Sequence, residues 1–464
     1  MYVRSHRRAI GTVALGLALA LGLAACGSDS DTSAGGGDNN GDGATTTVAQ
    51  STEPGVGVTD DTIKIGVVMV DYEPIKDYID FNRGDQQAVT QAIIDDINDK
   101  GGIAGRQIEP VYKKYVSIGS AGPLEACTMM TEDEKVFATV GLLYDPSGAG
   151  QLCFTKSHKS ILITNELSEA IMKKSTPGLL LTPDALAERS TRIMLALADE
   201  KGLLEGKKFA VVAETGTSSR IKDVIEPELQ KLGNELGTSG TLEISDGDTT
   251  KAQAQLDSLI ERWKGEGVNA VFISGLSTVS KTYVDKIKKA IPDALLLTDA
   301  DSSAKAAGQD AVNADVSPNP YDGLIALAGL NDQAEFERKQ TADCIKIWET
   351  ASKTKVVAPK DLVAGPDGKR AEIWITARDA CNSLGFLKVI GDRVGKNLNY
   401  ENWINTVNTF GKTDQFPNTD AGSLGVGKYD ANDNFSLVQF DPTAGTSGDW
   451  KQLTPLQDQS DATG

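Results

Sequence analysis

Histidine is almost missing from this chain: two residues in 464, and one of them, His6, lies in the first ten. Beyond the amino-terminal segment only His158 remains, and no Cys-x-x-Cys occurs, so a zinc site of the usual Cys/His kind has no ligand set. Gly-x-Ser-x-Gly, Walker, Gly-x-Gly-x-x-Gly and His-Glu-x-x-His patterns are absent too, which removes the common hydrolase, nucleotide-binding and metalloprotease signatures. The expectation is a protein that is not an enzyme, with no cofactor and no metal. A hydrolase built from carboxylates alone is the enzyme class these absences leave open. Positive charge is also short: 46 Lys and Arg against 65 Asp and Glu, a formal charge of −19. Nucleic acid is excluded as a partner on that balance, because phosphate contacts need Lys and Arg. The five tryptophans are scattered, as core residues are, rather than gathered into a stacking platform.

The one long apolar run lies at the start. Arg4, Arg7 and Arg8 precede residues 9–21, and Leu23-Ala24-Ala25-Cys26 follows. A charged region, a short apolar stretch and small residues before a cut are the parts of a secretory signal, and the run is shorter than the ~20 residues a membrane span needs. Leu-Ala-Ala-Cys resembles the bacterial lipobox. That resemblance implies a signal peptide over 1–25 and a lipid such as palmitate on Cys26, holding the mature chain at the outer face of the cell membrane. Residues 26–58 are Gly, Ser, Asp, Asn and Thr with few bulky apolar side chains, the composition of a flexible tether.

Apart from Cys26, the cysteines are Cys127, Cys153, Cys344 and Cys381, an even number suited to an oxidising compartment. Four cysteines allow three pairings. The first two fall on consecutive predicted helices flanking one strand, and the last two on helices near the carboxyl end. Sequential pairing is therefore expected.

From residue 62 onward, short β-branched runs alternate with amphipathic stretches. Strands are expected at 63–70, 107–115, 135–143 and 160–164, with helices at 86–98, 124–131 and 148–156 between them. The pattern restarts after Pro183, with helices at 187–201, 219–232, 252–264 and 279–290. The strands of this second part are 209–214, 240–245, 268–274 and 294–298. Such alternation specifies parallel sheets covered by helices. Beyond Tyr321 only helices (333–351, 371–394, 400–410) and a hairpin over 426–440 are expected. The fold class is therefore α/β, with two interleaved Rossmann-like lobes joined by a hinge. Lobe 1 takes residues 59–185 and 330–418, lobe 2 takes 186–329 and 419–456, and 457–464 form a disordered tail. Ligands of open parallel sheets lie beyond the carboxyl ends of the strands, which places the site between the lobes.

Three segments carry a family resemblance: Ile63-Lys64-Ile65-Gly66-Val67-Val68, Ile97-Asn98-Asp99-Lys100-Gly101-Gly102-Ile103-Ala104-Gly105-Arg106, and Lys207-Lys208-Phe209-Ala210-Val211-Val212. They resemble the first strand, a glycine-rich helix end and the second-lobe opening strand of type I solute-binding proteins of ABC transporters, in the branched-chain amino acid group. The resemblance implies a monomer that captures a small polar solute, an amino acid or a related carboxylate or amide, and hands it to a membrane permease. A lipoprotein that signals to a membrane receptor through the same fold is the alternative. The family's ligand loops map onto Asp145, Ser147, Thr164, Glu166 and Ser168 in the first lobe. Ser147 and Ser168 suit a ligand carboxylate, a role that helix capping does not exclude. In the second lobe Ser218 sits where the family often has a tyrosine, and Asp299 or Asp301 is the candidate for a ligand ammonium. Glu166 either pairs with a cationic ligand group or faces solvent.

A Cys26→Ser variant is expected to incorporate no labelled palmitate and to leave the membrane fraction; retention and normal processing would refute the lipobox assignment.

Overall fold

The computed structural model describes residues 51–79, 81–145, 147–165, 167–243, 250–275 and 281–461. Cys26, the signal segment, most of the tether and Glu166 lie outside the described residues. Among the described residues no helix is long and apolar enough to cross a membrane.

The first sheet has five parallel strands, in the spatial order Gln107–Tyr115, Thr62–Val70, Ala138–Val140, Ile161–Ile163, Leu180–Leu181. Thr62–Val70 is an interior strand, and seven of its nine residues are buried, as a strand covered by helices on both faces must be. The helix Gln86–Asp99 begins where the Asp85 carboxylate accepts the Ala88 N–H at 3.1 Å. It ends in the glycine-rich stretch, and the geometry there explains the motif. Gly102 has φ of 71°, and a Cβ on it would lie 1.8 Å from the Arg106 carbonyl oxygen, so only glycine fits. The turn buries Ile103 in the core and aims the Arg106 guanidinium at the carbonyls of Thr59 (2.6 Å) and Lys396 (3.0 Å). One arginine thereby ties the start of the lobe to its last helices.

In the second sheet Lys208–Glu214, Ala270–Ser274, Leu295–Thr298 and Ile325–Ala328 run parallel, and Asn434–Asp441 and Asp449–Gln452 extend it antiparallel. Tryptophans close both cores: Trp263 and Trp450 are buried in the second lobe, Trp374 and Trp403 in the first. Both disulfides follow the sequential pairing, Cys127–Cys153 and Cys344–Cys381, each with Cα atoms 6.2 Å apart.

Several boundaries differ from the sequence expectation. Strands do not stop at Tyr321: Ile325–Ala328 is a four-residue strand, too short to show a period. A helix that was not expected, Asp301–Asn313, follows the Leu295–Thr298 strand. The helix expected over 333–351 is two helices, broken at Arg338. The late hairpin is formed by Asn434–Asp441 with Asp449–Gln452, not around 430–434. Residues 419–431 belong with the first lobe rather than the second, since Leu424, Tyr429 and Ala431 pack into its core. Order begins earlier than residue 59, because Gly55 donates to the Leu398 carbonyl at 2.9 Å and Ser51 accepts from Asn402 at 2.8 Å. It also runs past 457: Gln457–Asp458 pairs with Asn434–Phe435, and Gln459 donates to the Asp433 carbonyl at 2.6 Å. These edges are short and held largely by hydrogen bonds to backbone groups, which leave no apolar pattern in a sequence.

The chain crosses between the lobes three times, near 182–186, 328–332 and 431–434. Thr182 donates to Tyr429 O and accepts from Ala431 N, both at 3.0 Å, and Ser436 Oγ donates to Gly329 O at 3.2 Å. Beneath the crossovers lies Arg189, whose side chain is 5% exposed. Its guanidinium meets Asp433 Oδ1 at 2.6 Å, Asp430 Oδ2 at 3.3 Å, and the carbonyls of Asn432 and Gln459 at 2.8 Å. Lys428 Nζ lies 3.0 Å from Asp433 and 3.3 Å from Asp430.

Removing one member of such a cluster leaves buried charge uncompensated, at a cost of about 3–5 kcal/mol. Arg189→Ala should therefore lower the unfolding free energy by about that amount in denaturant titration; a loss under ~1 kcal/mol would show the cluster to be inconsequential.

Candidate functional site

Each sheet hands the chain to the other lobe from its carboxyl end. Leu180–Leu181 leads into the first crossover, and Ile325–Ala328 leads into the second. The loops that follow the strands are therefore the ones that face the opposite lobe.

In the first lobe the loop after Ala138–Val140 is organised by Asp145. Its carboxylate is buried and accepts from Ser147 Oγ (2.7 Å), Ser147 N (3.0 Å), Ser120 Oγ (3.0 Å) and Gly150 N (2.8 Å). Burial by itself pushes the Asp145 carboxyl upward, and these four hydrogen bonds outweigh it, holding it below the ordinary carboxylate range. Ser147 also lies 2.8 Å from Ser120 Oγ, and its oxygen accepts from Ala149 N at 3.2 Å. The Thr164 hydroxyl is buried and accepts from Leu143 N at 2.8 Å, which ties adjacent strand ends together. Ser168 caps the short helix Glu169–Met172 by accepting from Ile171 N at 3.4 Å.

On the second lobe, Asp299 is held at the strand ends by Arg220 Nη1 (2.9 Å), Ser274 Oγ (2.6 Å) and Gly275 N (2.8 Å). The sequence reading placed Asp299 opposite a ligand cation and did not anticipate Arg220. An arginine six residues after a strand end carries no motif; only the fold shows what it meets. Asp301 opens the Asp301–Asn313 helix, and burial raises its carboxyl despite the backbone N–H of Ser302 and the nearby Lys305. Ser218 donates to Thr215 O at 2.9 Å.

A ladder of ion pairs joins these walls. Glu169, beside Ser168, pairs with Arg192, and its backbone N–H donates to Glu188 Oε2 at 2.8 Å. Glu188 Oε1 lies 3.8 Å from Arg220 Nε, and Arg220 reaches Asp299. Burial pushes Glu169 up, but Arg192 and Lys173 hold it below the ordinary range.

A second electrostatic group sits at the first crossover. Burial lifts the half-buried Asp184 carboxyl to about 6; Arg378 opposes the rise, and Asp379, Asp301 and Glu335 add to it. Arg378 lies over the Trp374 ring, 5.3 Å from its centroid, and binds Asp379 at 2.8 Å. No sequence motif singles out Asp184 or Arg378. Against the second and third crossovers lies a small polar pocket lined by Gly329, Leu330, Arg338, Asn418, Asn432 and others, and it contains none of the expected ligand residues.

For a metal, the donors of Cys127, Cys153 and His158 are the group that converges among the described residues. Both sulfurs are joined in the disulfide, and His158 lies 3.4 Å from Glu132, so the group offers no open thiolate ligands.

Two crossed α/β lobes, with strand ends facing across three crossovers, define the type I periplasmic solute-binding protein fold, and this chain has that fold. No family model matches the sequence, and no curated protein sequence matches it. Solved structures do. A leucine-binding protein, LivK, from Thermotoga maritima superposes with a TM-score of 0.58 at 13% identity, covering 86% of this chain and 100% of that one. An ABC-transporter solute-binding protein from Rhodopseudomonas palustris BisB5, in complex with 3,4-dihydroxybenzoic acid, gives 0.58 at 12% identity over 86% and 98%. A fatty acid ABC transporter substrate-binding protein from Thermomonospora curvata gives 0.57 at 15% identity over 89% and 96%.

The raised Asp184 carboxyl has a definite consequence for stability. Its protonated form is favoured in the folded state, so the fold gains stability as pH falls from above 6 toward the ordinary carboxylate range near 4. Asp184→Asn should raise the melting temperature at pH 7.5, and the difference from the native chain should shrink by pH 4.5. Parallel melting profiles across that window would show that Asp184 is not under this pressure.

Proposed function

We propose that this chain is an extracytoplasmic solute-binding lipoprotein. It captures a small polar solute between its lobes and delivers it to an ABC permease, anchored through Cys26 and acting as a monomer. The observation that carries this reading is the hinge: two sheets whose carboxyl ends face each other across three crossovers, shared over most of the chain with solved solute-binding proteins. Solutes named with the neighbours include leucine and hydroxylated benzoic acids, so the fold accommodates several ligand chemistries. In the first lobe Ser168 is the group best placed to donate, because its oxygen takes the capping bond and its hydrogen is left for a solute. Solute bridging both walls stabilises the closed form through contacts that the open form does not make.

A solute present at a hundred times its dissociation constant stabilises the folded chain by about 2.7 kcal/mol, enough to raise the melting temperature by a few degrees. Screening amino acids, amides, alcohols and aromatic acids by thermal shift should reveal such a solute. Small-angle scattering should then show the radius of gyration falling when it binds. A ligand that binds without any contraction would argue against closure of the lobes.

A further inference from the structure

Two of the groups that the sequence offers for an ionised ligand head, Ser147 and Asp299, are already matched inside the protein. Asp145 accepts two backbone N–H groups, from Ser147 and Gly150, and two hydroxyl bonds, from Ser120 and Ser147. That is the donor set a ligand carboxylate would require at a strand end, and a carboxylate of the chain itself fills it. A serine hydroxyl has one hydrogen. Both hydroxyls reach Asp145, at 3.0 and 2.7 Å, and lie 2.8 Å from each other with either able to donate; in each of these arrangements the hydrogen of the exposed Ser147 stays within the cluster, and its lone pairs are what it offers a solute.

The second wall repeats the arrangement with the opposite sign. Asp299 is only 3% exposed at its side chain and holds Arg220 at 2.9 Å, the place an ammonium would take. Arg220 also faces Glu188 at 3.8 Å, so acids flank it on two sides and it adds no net positive charge for an anionic solute.

Resting on the solute-binding reading above, we propose that this cleft selects against ionised heads at these two walls. Its solute presents an uncharged hydrogen-bonding group there, such as a primary amide or an alcohol, and Asp145 and Arg220 set that specificity. A carboxylate brought to Ser147 finds no hydroxyl hydrogen and a buried carboxylate behind it. An ammonium brought to Asp299 meets a guanidinium. An amide N–H or an alcohol O–H, by contrast, can donate to the exposed Ser147 oxygen without opposing either charge.

The test uses the purified chain and matched sets of acid, primary amide and alcohol on aliphatic and aromatic scaffolds: benzoate, benzamide and benzyl alcohol; isovalerate, isovaleramide and isoamyl alcohol; and leucine. Calorimetry should show an amide or alcohol binding at least about tenfold more tightly than its matched acid, a gap of ~1.4 kcal/mol. Asp145→Asn, which keeps the shape and removes the charge, should narrow that ratio to about threefold or less. Arg220→Gln should not create a preference for the acid, and it should relax the exclusion of leucine. Preference of the native chain for an acid or for leucine would overturn the specificity while leaving solute binding intact, and this outcome does not depend on whether either variant folds. An unchanged acid-to-amide ratio in an Asp145→Asn variant with native-like circular dichroism would overturn it too. If no member of these sets or of the wider thermal-shift screen binds, the solute-binding reading fails, and this inference fails with it.

Discussion

The buried charges of Arg189, Asp430, Asp433 and Lys428 are the constraint on which the two-lobed architecture turns. Arg189 projects from the first helix of the second lobe, while both aspartates and the lysine lie on or beside the third crossover. The same guanidinium reaches the Gln459 carbonyl near the carboxyl end of the chain. One side chain therefore holds together segments more than two hundred residues apart. Buried ions of this kind contribute little net stability compared with apolar packing, but they penalise any arrangement in which the partners separate. A hinge benefits from that: the crossovers stay in register while the lobes on either side are free to differ.

The same economy of charge extends to the walls of the cleft. Asp145 and Asp299 occupy corresponding places at strand ends, and each is surrounded by donors belonging to the chain. The pairs from Glu169 through Arg192, and from Glu188 through Arg220 to Asp299, run from the first lobe to the strand ends of the second. Loop positions on both sides of the hinge are therefore coupled electrostatically without any ligand. Asp184 and Arg378 add a further group at the first crossover, where burial, opposed by Arg378 and reinforced by neighbouring carboxyls, raises the Asp184 carboxyl above its ordinary range.

Much of the core was legible because its elements are long and apolar. Thr62–Val70, Gln86–Asp99, Ala187–Glu200 and Lys208–Glu214 match their expected positions within one or two residues, the helices through a periodic buried face and the strands through continuous apolar runs buried on both faces. The glycine-rich stretch at 101–106 was recognisable by its residues, and its reason is steric, since Gly102 abuts a carbonyl that no Cβ could approach. What escaped were short strands such as Ile325–Ala328, the break at Arg338, and the edges at 51–58 and 457–461. Those are fixed by backbone hydrogen bonds and by partners distant in the chain.

By itself the sequence determined the α/β class, the two repeating lobes and the loops at strand ends, because local periodicity encodes them; it allowed three pairings of the four cysteines, and the fold decided among them. It could not decide what each polar residue in those loops would meet. Asp145 and Asp299 looked available for a ligand until the fold brought Ser120, Gly150, Arg220 and Ser274 to them. Charge pairing across the chain depends on three-dimensional distance, and falls from several kcal/mol to almost nothing within a few ångströms of separation and exposure. The tertiary structure therefore decided which charges were already neutralised, and with them the chemistry that each wall of the cleft presents.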